Sequence, residues 1–151
     1  MPAFARRVAG LVLLWLLAMP AAMAQNRVPS DRGLEALVKA TLLTFNDASV
    51  TGNFAVFHAK LAKPFRQQFS VDRLAETFKS FTDQQIDFDV IAAYTPVYEP
   101  PAAIDGDGKL IAKGYFPTEP TRVLFDLEFI PSDGEWKLIS IHVKTERAPK
   151  P

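Results

Sequence analysis

Cysteine is absent from the 151-residue sequence. That excludes disulfides, thiolate metal sites, a cysteine nucleophile and a lipidated N-terminal cysteine. Histidine occurs twice, at His58 and His142, which is too few for a multi-histidine metal centre. A net charge is missing as well: 17 basic residues balance 17 acidic ones, and the basic residues are scattered. A nucleic-acid partner would need a basic patch, so none is expected. Tyrosine is scarce, three residues against twelve phenylalanines. Phenylalanine brings large apolar area with no polar handle, so this bias suits a core or an apolar cavity equally. The remaining composition is that of an ordinary globular chain, not a disordered one.

The first 24 residues have three parts. Arg6 and Arg7 make a basic start, Val8 to Met19 is a continuous apolar run, and Pro20 precedes the small-x-small site Ala22-Met23-Ala24. This is the layout of a cleaved secretory signal peptide. The apolar run is short for a hydrocarbon core of roughly 30 Å, which disfavours an uncleaved anchor. Cleavage after Ala24 removes two arginines and no acids, so the mature formal charge falls from zero to −2. The expectation is an exported protein, periplasmic or secreted, with no membrane association after cleavage.

From Gln25 the chain reads as one domain to Arg147, with a disordered tail over 148–151. Ser30 or Asp31 is placed to cap a helix. Leu34, Leu37, Val38, Thr41, Leu42 and Phe45 recur at three- and four-residue steps, one stripe of an amphipathic helix running to about Ser49. A second helix carries Phe54, Phe57, His58 and Leu61, and Pro64 should end or kink it. Phe65 to Phe69 reads as irregular or one short turn. Ser70 is the next N-cap, with Phe69 and Leu74 in staple positions. Leu74, Phe78 and Phe81 stripe a third helix that ends near Asp83. From Ile86 the period switches to two: Ile86, Phe88 and Val90 alternate with Asp87 and Asp89, predicting a strand through Tyr94. Asp105-Gly106-Asp107-Gly108 reads as a turn. It fails the calcium-loop pattern, because Lys109, Leu110 and Phe116 stand where that loop needs a ligand, a glycine and a glutamate. Leu110 to Phe116 is a strand in which Gly114 marks a bend or a close backbone approach. Thr145 to Pro151 is charged and proline-containing, and is expected to fray.

The stretch Thr121 to Val143 organises the rest. Val123, Phe125, Leu127 and Phe129 share one parity, while Asp126 and Glu128 take the other and should be wet. Pro131 should stop this strand, and Pro131-Ser132-Asp133-Gly134 has turn chemistry. On the return strand, Trp136 and Leu138 lie on one parity but Ile139, Ile141 and Val143 on the other. A β-bulge near Ile139–Ser140 restores one inward face for Trp136, Leu138, Ile141 and Val143.

Helices first and strands last predict an α+β fold, with N-terminal helices packed on one face of a curved antiparallel four-stranded sheet. The element order and the closing Asp133-Gly134-Glu135-Trp136-Lys137-Leu138 resemble the NTF2-like (cystatin-like, SnoaL-like) superfamily, over about Asp31 to Lys144. The resemblance implies a cone-shaped sheet around the helices with an apolar pocket. It also implies two kinds of function: non-catalytic binding or accessory proteins, and isomerases or lyases of the ketosteroid-isomerase kind.

The residues favour the first. Asp87, Asp89, Asp126 and Glu128 all lie on predicted wet faces. His58 is the one ionisable group on an apolar stripe and the weak catalytic candidate; a lone histidine there is more often structural. His142 is expected to face solvent. Phe45, Phe57, His58, Phe81, Phe88, Phe125 and Phe129 are the expected ligand-binding set, with plain core filling the alternative. The expected partner is a small apolar molecule, with a homodimer through the sheet as a further possibility. No cofactor and no metal are expected.

Overall fold

Ser30 opens the first helix in the computed structural model, which describes residues 27–151; the expected signal peptide lies outside them. The Ser30 Oγ accepts the Gly33 N–H at 3.2 Å and caps α1, Asp31–Thr51. Gly52, at φ 71°, ends the helix in the left-handed conformation that suits glycine. The predicted stripe is the buried one: Leu34, Val38, Leu42 and Phe45 face the core.

Four short helices follow: α2 (Ala55–Lys60), α3 (Lys63–Gln68), α4 (Val71–Thr77) and α5 (Lys79–Asp83). Pro64 neither ends nor kinks α2, which stops at Lys60 before reaching it. It sits instead in the first turn of α3, where a missing N–H leaves no bond unmade. Phe65 to Gln68 is therefore helical. Ser70 caps α4 through its Oγ, 3.1 Å from the Arg73 nitrogen.

The strand expected over Ile86–Tyr94 does not form; Asp89–Ala93 is a 3₁₀ turn. The cause lies in α1. Asn46, 2% exposed, donates from Nδ2 to Asp87 Oδ1 at 2.8 Å and accepts the Phe88 N–H at 2.9 Å. Asp87 Oδ1 also accepts the Asp89 N–H at 3.1 Å. These side-chain bonds replace the ladder bonds a strand would need. Phe88 and Ile91, three apart, are the buried pair, and Val90 is 48% exposed.

The sheet has five antiparallel strands rather than four: β1 (Val97–Tyr98), β2 (Ala103–Ile104), β3 (Leu110–Phe116), β4 (Thr121–Ser132) and β5 (Glu135–Arg147). Their order is β1-β3-β4-β5, and β2 pairs with β3 as well. Gly114 is the close approach: a Cβ there would stand 1.9 Å from the Val97 carbonyl oxygen. Pro131 does not stop β4, which continues to Ser132 with Pro131 opposite Trp136. The turn is only two residues, because Asp133 (φ 51°) and Gly134 (φ 82°) both take the positive φ of a tight hairpin. Glu128 pairs with Ser140 and Phe129 with Leu138, which leaves Ile139 as the bulged residue. Leu138 and Ile141 are consequently both buried. The C-terminal stretch is paired rather than frayed through Arg147, opposite Thr121, and the Ala148 N–H donates to the Pro120 carbonyl at 2.9 Å.

The architecture is α+β, with helices packed on one face of the sheet. One core joins the α1 stripe and residues of α2, α3 and α4 to Leu110, Phe116, Val123, Phe125, Leu127 and Phe129 from the strands. No helix among the described residues is long and apolar enough to cross a membrane.

Candidate functional site

Phe45 is the hub of the interior. Its ring meets Phe57 at 5.6 Å, Phe78 at 4.8 Å, Phe81 at 5.3 Å and Phe88 at 6.3 Å between centroids. Most of these contacts are edge-to-face, the arrangement aromatic quadrupoles prefer. Phe125 packs against Phe116 at 5.5 Å and Tyr98 at 6.0 Å. Of the expected ligand-binding set, Phe45, Phe57, Phe88, Phe125 and Phe129 are buried and Phe81 is half-buried. The rings cover one another, so much of this cluster is core. Phe57 and Phe129 also border one surface concavity, and Phe125 borders another.

His58 stands apart from both concavities. Its Nε2 lies 2.8 Å from the Phe69 carbonyl oxygen and 3.3 Å from that of Arg66. Both are acceptors, so Nε2 carries the proton and donates. The ring thereby ties α2 to the C-terminal end of α3.

The first concavity is a groove of about 690 Å³ between α1, α2 and the tip of the β4–β5 hairpin. It falls within the size range of small-molecule sites. Leu37 and Thr44 come from α1, Phe57 and Lys60 from α2, and Trp136 and Leu138 from β5, with Phe129 behind them. The groove owes its hairpin wall to two features of the ladder. The β3–β4 pairing stops at Phe129, whereas β4–β5 continues to Ser132, so the tip overhangs the sheet. The bulge at Ile139 then turns Trp136 and Leu138 to the helix side, and the Ala62 N–H holds the Leu138 carbonyl at 2.9 Å. On the opposite wall Lys60 Nζ donates to Thr44 Oγ1 at 3.3 Å. Sequence reasoning had Trp136 facing inward but did not place it with Lys60. Nothing in the local pattern links them; only the overhang does.

The second concavity, about 570 Å³, lies on the outer sheet face around Lys113, Tyr115, Arg122, Asp126 and His142. Ion pairs cross this face. Lys113 pairs with Asp126 at 3.6 Å, Arg122 with Glu146 while lying 4.7 Å over the Tyr115 ring, and farther along Lys109 with Glu128 at 3.2 Å. The hydrogen bond and charge of Arg122 hold the Glu146 carboxyl below its usual value, and the bond to Glu128 raises Lys109. Exposed pairs of this kind contribute little to stability. Glu99, also in the lining, has no ion pair among the described residues. His142 is exposed and faces Asp126 across the ladder.

Asp105 is likewise engaged: its Oδ1 accepts the N–H groups of Asp107 and Lys109, both at 2.9 Å. It closes the β2–β3 hairpin. Among the described residues no cluster of three His, Asp or Glu stands ready for a metal. Tyr98 is the most perturbed group. Burial, then the charges of Glu35 and Asp31, push its hydroxyl up to about 12, and that hydroxyl has no partner. No family model matches the chain, and no curated protein or solved structure matches it either.

Proposed function

We propose that this is an exported binding domain of the NTF2-like type, without catalytic activity of its own, that takes a small, largely apolar molecule in the groove between α1, α2 and the hairpin tip. The observation that carries the reading is the groove itself. Three separate elements build its walls, and Leu37, Phe57, Leu61, Trp136 and Leu138 make them mostly apolar. The isomerase alternative lacks support from His58, whose Nε2 is occupied by two carbonyls. An accessory subunit or homodimer built through the outer sheet face is the second reading. Half-buried Ile111, Tyr115, Leu124 and Ile130 between the ion pairs favour it, and sedimentation equilibrium tests it.

Trp136 makes the groove easy to test. The chain has two tryptophans, so Trp15→Phe leaves Trp136 as the single reporter whether or not the leader stays attached. Titration with decanol, kept below its solubility limit, should shift Trp136 emission saturably. Leu37→Arg, which puts a charge into the wall, should abolish the shift. Emission that ignores decanol altogether would remove the groove as a binding site.

A further inference from the structure

We infer that the groove selects an amphipathic anion, a molecule with an apolar chain or ring and one carboxylate head, and that Lys60 receives the head. This rests on the binding reading above and names the chemical class of its ligand. The first observation is a charge imbalance. Lys60 lines the groove and is not ion-paired among the described residues, whereas Lys137, opposite Ile130, lies on the outer face. The outer sheet face is built differently: Lys109, Lys113, Arg122 and Lys144 each have a carboxylate within 4 Å. Glu135, the one carboxylate in the groove lining, is exposed beside the turn.

The second observation concerns donors and acceptors. The hydroxyls of the α1 wall are already committed. Thr41 donates to the Leu37 carbonyl at 2.8 Å and Thr44 to the Ala40 carbonyl at 2.7 Å. Thr44 also accepts from Lys60, which holds that ammonium over the groove with two N–H groups to spare. The Lys60 ammonium is therefore a charged donor held at the edge of an apolar wall. It suits an acceptor that carries negative charge, since charge-assisted bonds are the stronger ones. The apolar wall then takes the rest of the molecule. A cation would be repelled by Lys60, and a neutral alcohol would forgo the charge pairing.

The test compares decanoate, decanol and decyltrimethylammonium on the Trp15→Phe chain, by Trp136 emission below the micelle threshold. Decanoate should bind about fivefold or more tighter than decanol, the scale of one partly exposed ion pair. The cation should bind weakest. Lys60→Gln and raised salt should each reduce the decanoate preference and leave decanol unchanged, whereas Lys137→Gln, on the outer face, should leave both unchanged. Equal binding of decanoate and decanol would overturn the inference while leaving the groove a binding site. Failure of all three probes would overturn both. A decanoate preference that survives in the Lys60→Gln variant would also overturn the assignment of the head.

Discussion

Gly114→Ala should detach β1 from the sheet. The added Cβ would stand 1.9 Å from the Val97 oxygen, 2.9 Å from its carbonyl carbon and 3.0 Å from Tyr98 Cα. All three are backbone atoms, so no side chain can swing aside. Ordinary contact requires β1 to retreat by about 1.5 Å. The bond from the Glu99 N–H to the Lys113 carbonyl, now 2.9 Å, would then exceed hydrogen-bond range. Since β1 is only two residues long and lies at the sheet margin, it can peel away, and the cost of peeling caps the penalty. That cost is two or three ladder bonds at about 1 kcal/mol each. Withdrawing the half-buried Tyr98 ring from Phe125 adds about 1 kcal/mol. The sum is about 3 kcal/mol, a large part of a typical domain's roughly 5–15 kcal/mol.

Guanidinium unfolding, followed by Trp136 emission, measures the loss, and hydrogen exchange at the Glu99 amide locates it. Two further glycines separate steric from conformational causes. Gly106→Ala meets nothing within 4 Å and has no positive φ, so its effect should stay within about 0.5 kcal/mol. Gly108→Ala also meets open space but sits at φ +78°, so about 1 kcal/mol is expected from the backbone alone. A Gly114→Ala protein as stable as Gly106→Ala, with the Glu99 amide still protected, would refute the close-approach argument.

Asn46→Ala removes both partners that hold the Asp87–Phe88 segment. It leaves the buried Phe88 N–H unpaired, so a loss of about 2 kcal/mol is expected in the same unfolding assay. Tyr98→Phe should keep the ring contact and discard an unpartnered buried hydroxyl, leaving thermal stability unchanged or raised by up to about 1 kcal/mol. The parent's Tyr98 has a folded value raised from 10.0 to about 12. Its contribution is therefore complete below pH 10 and declines as pH climbs towards 12, as the unfolded chain ionises first. An ultraviolet difference titration should show one late tyrosine that Tyr98→Phe abolishes. Deleting Ile139 removes the bulge but leaves Leu138 opposite Phe129 and Trp136 opposite Pro131, so both keep the helix side in a now regular ladder. Trp136 emission should stay in place and still respond to decanol; a red-shifted emission that ignores decanol would refute Ile139 as the extra residue.

The parts of the fold legible in sequence are those whose cause is local. The α1 stripe, the Ser30 and Ser70 caps and the parity break at Ile139 depend on residues adjacent or nearly so. Gly114 is legible because a strand position without a side chain marks a close approach, although its partner Val97 is distant in sequence. The Ile86–Tyr94 segment misleads because its conformation is imposed by Asn46, some forty positions earlier, while its own alternation imitates a strand. Pro64 misleads for a related reason: whether a proline ends one helix or begins the next depends on where the previous helix stops. Of the candidate site, Phe57 and Phe129 were legible as inward-facing. Lys60 was not, because an unpaired surface lysine has no signature until a folded chain shows what it faces.

That difference bears on where function resides. The cone that the resemblance implies would hold a ligand inside, yet Phe45 and the rings around it fill the interior in pairwise contact. Filling the interior this way stabilises a domain that has no disulfide to fall back on. A stabilising interior and a ligand cavity compete for the same volume, because every void costs the contacts of its lining. The groove at the hairpin tip escapes this competition. It lies where β4 and β5 outrun β3, so its walls can vary in chemistry without opening the core. For the binding function proposed above, a pocket at the margin of the sheet suits a chain without cysteine better than one at its centre.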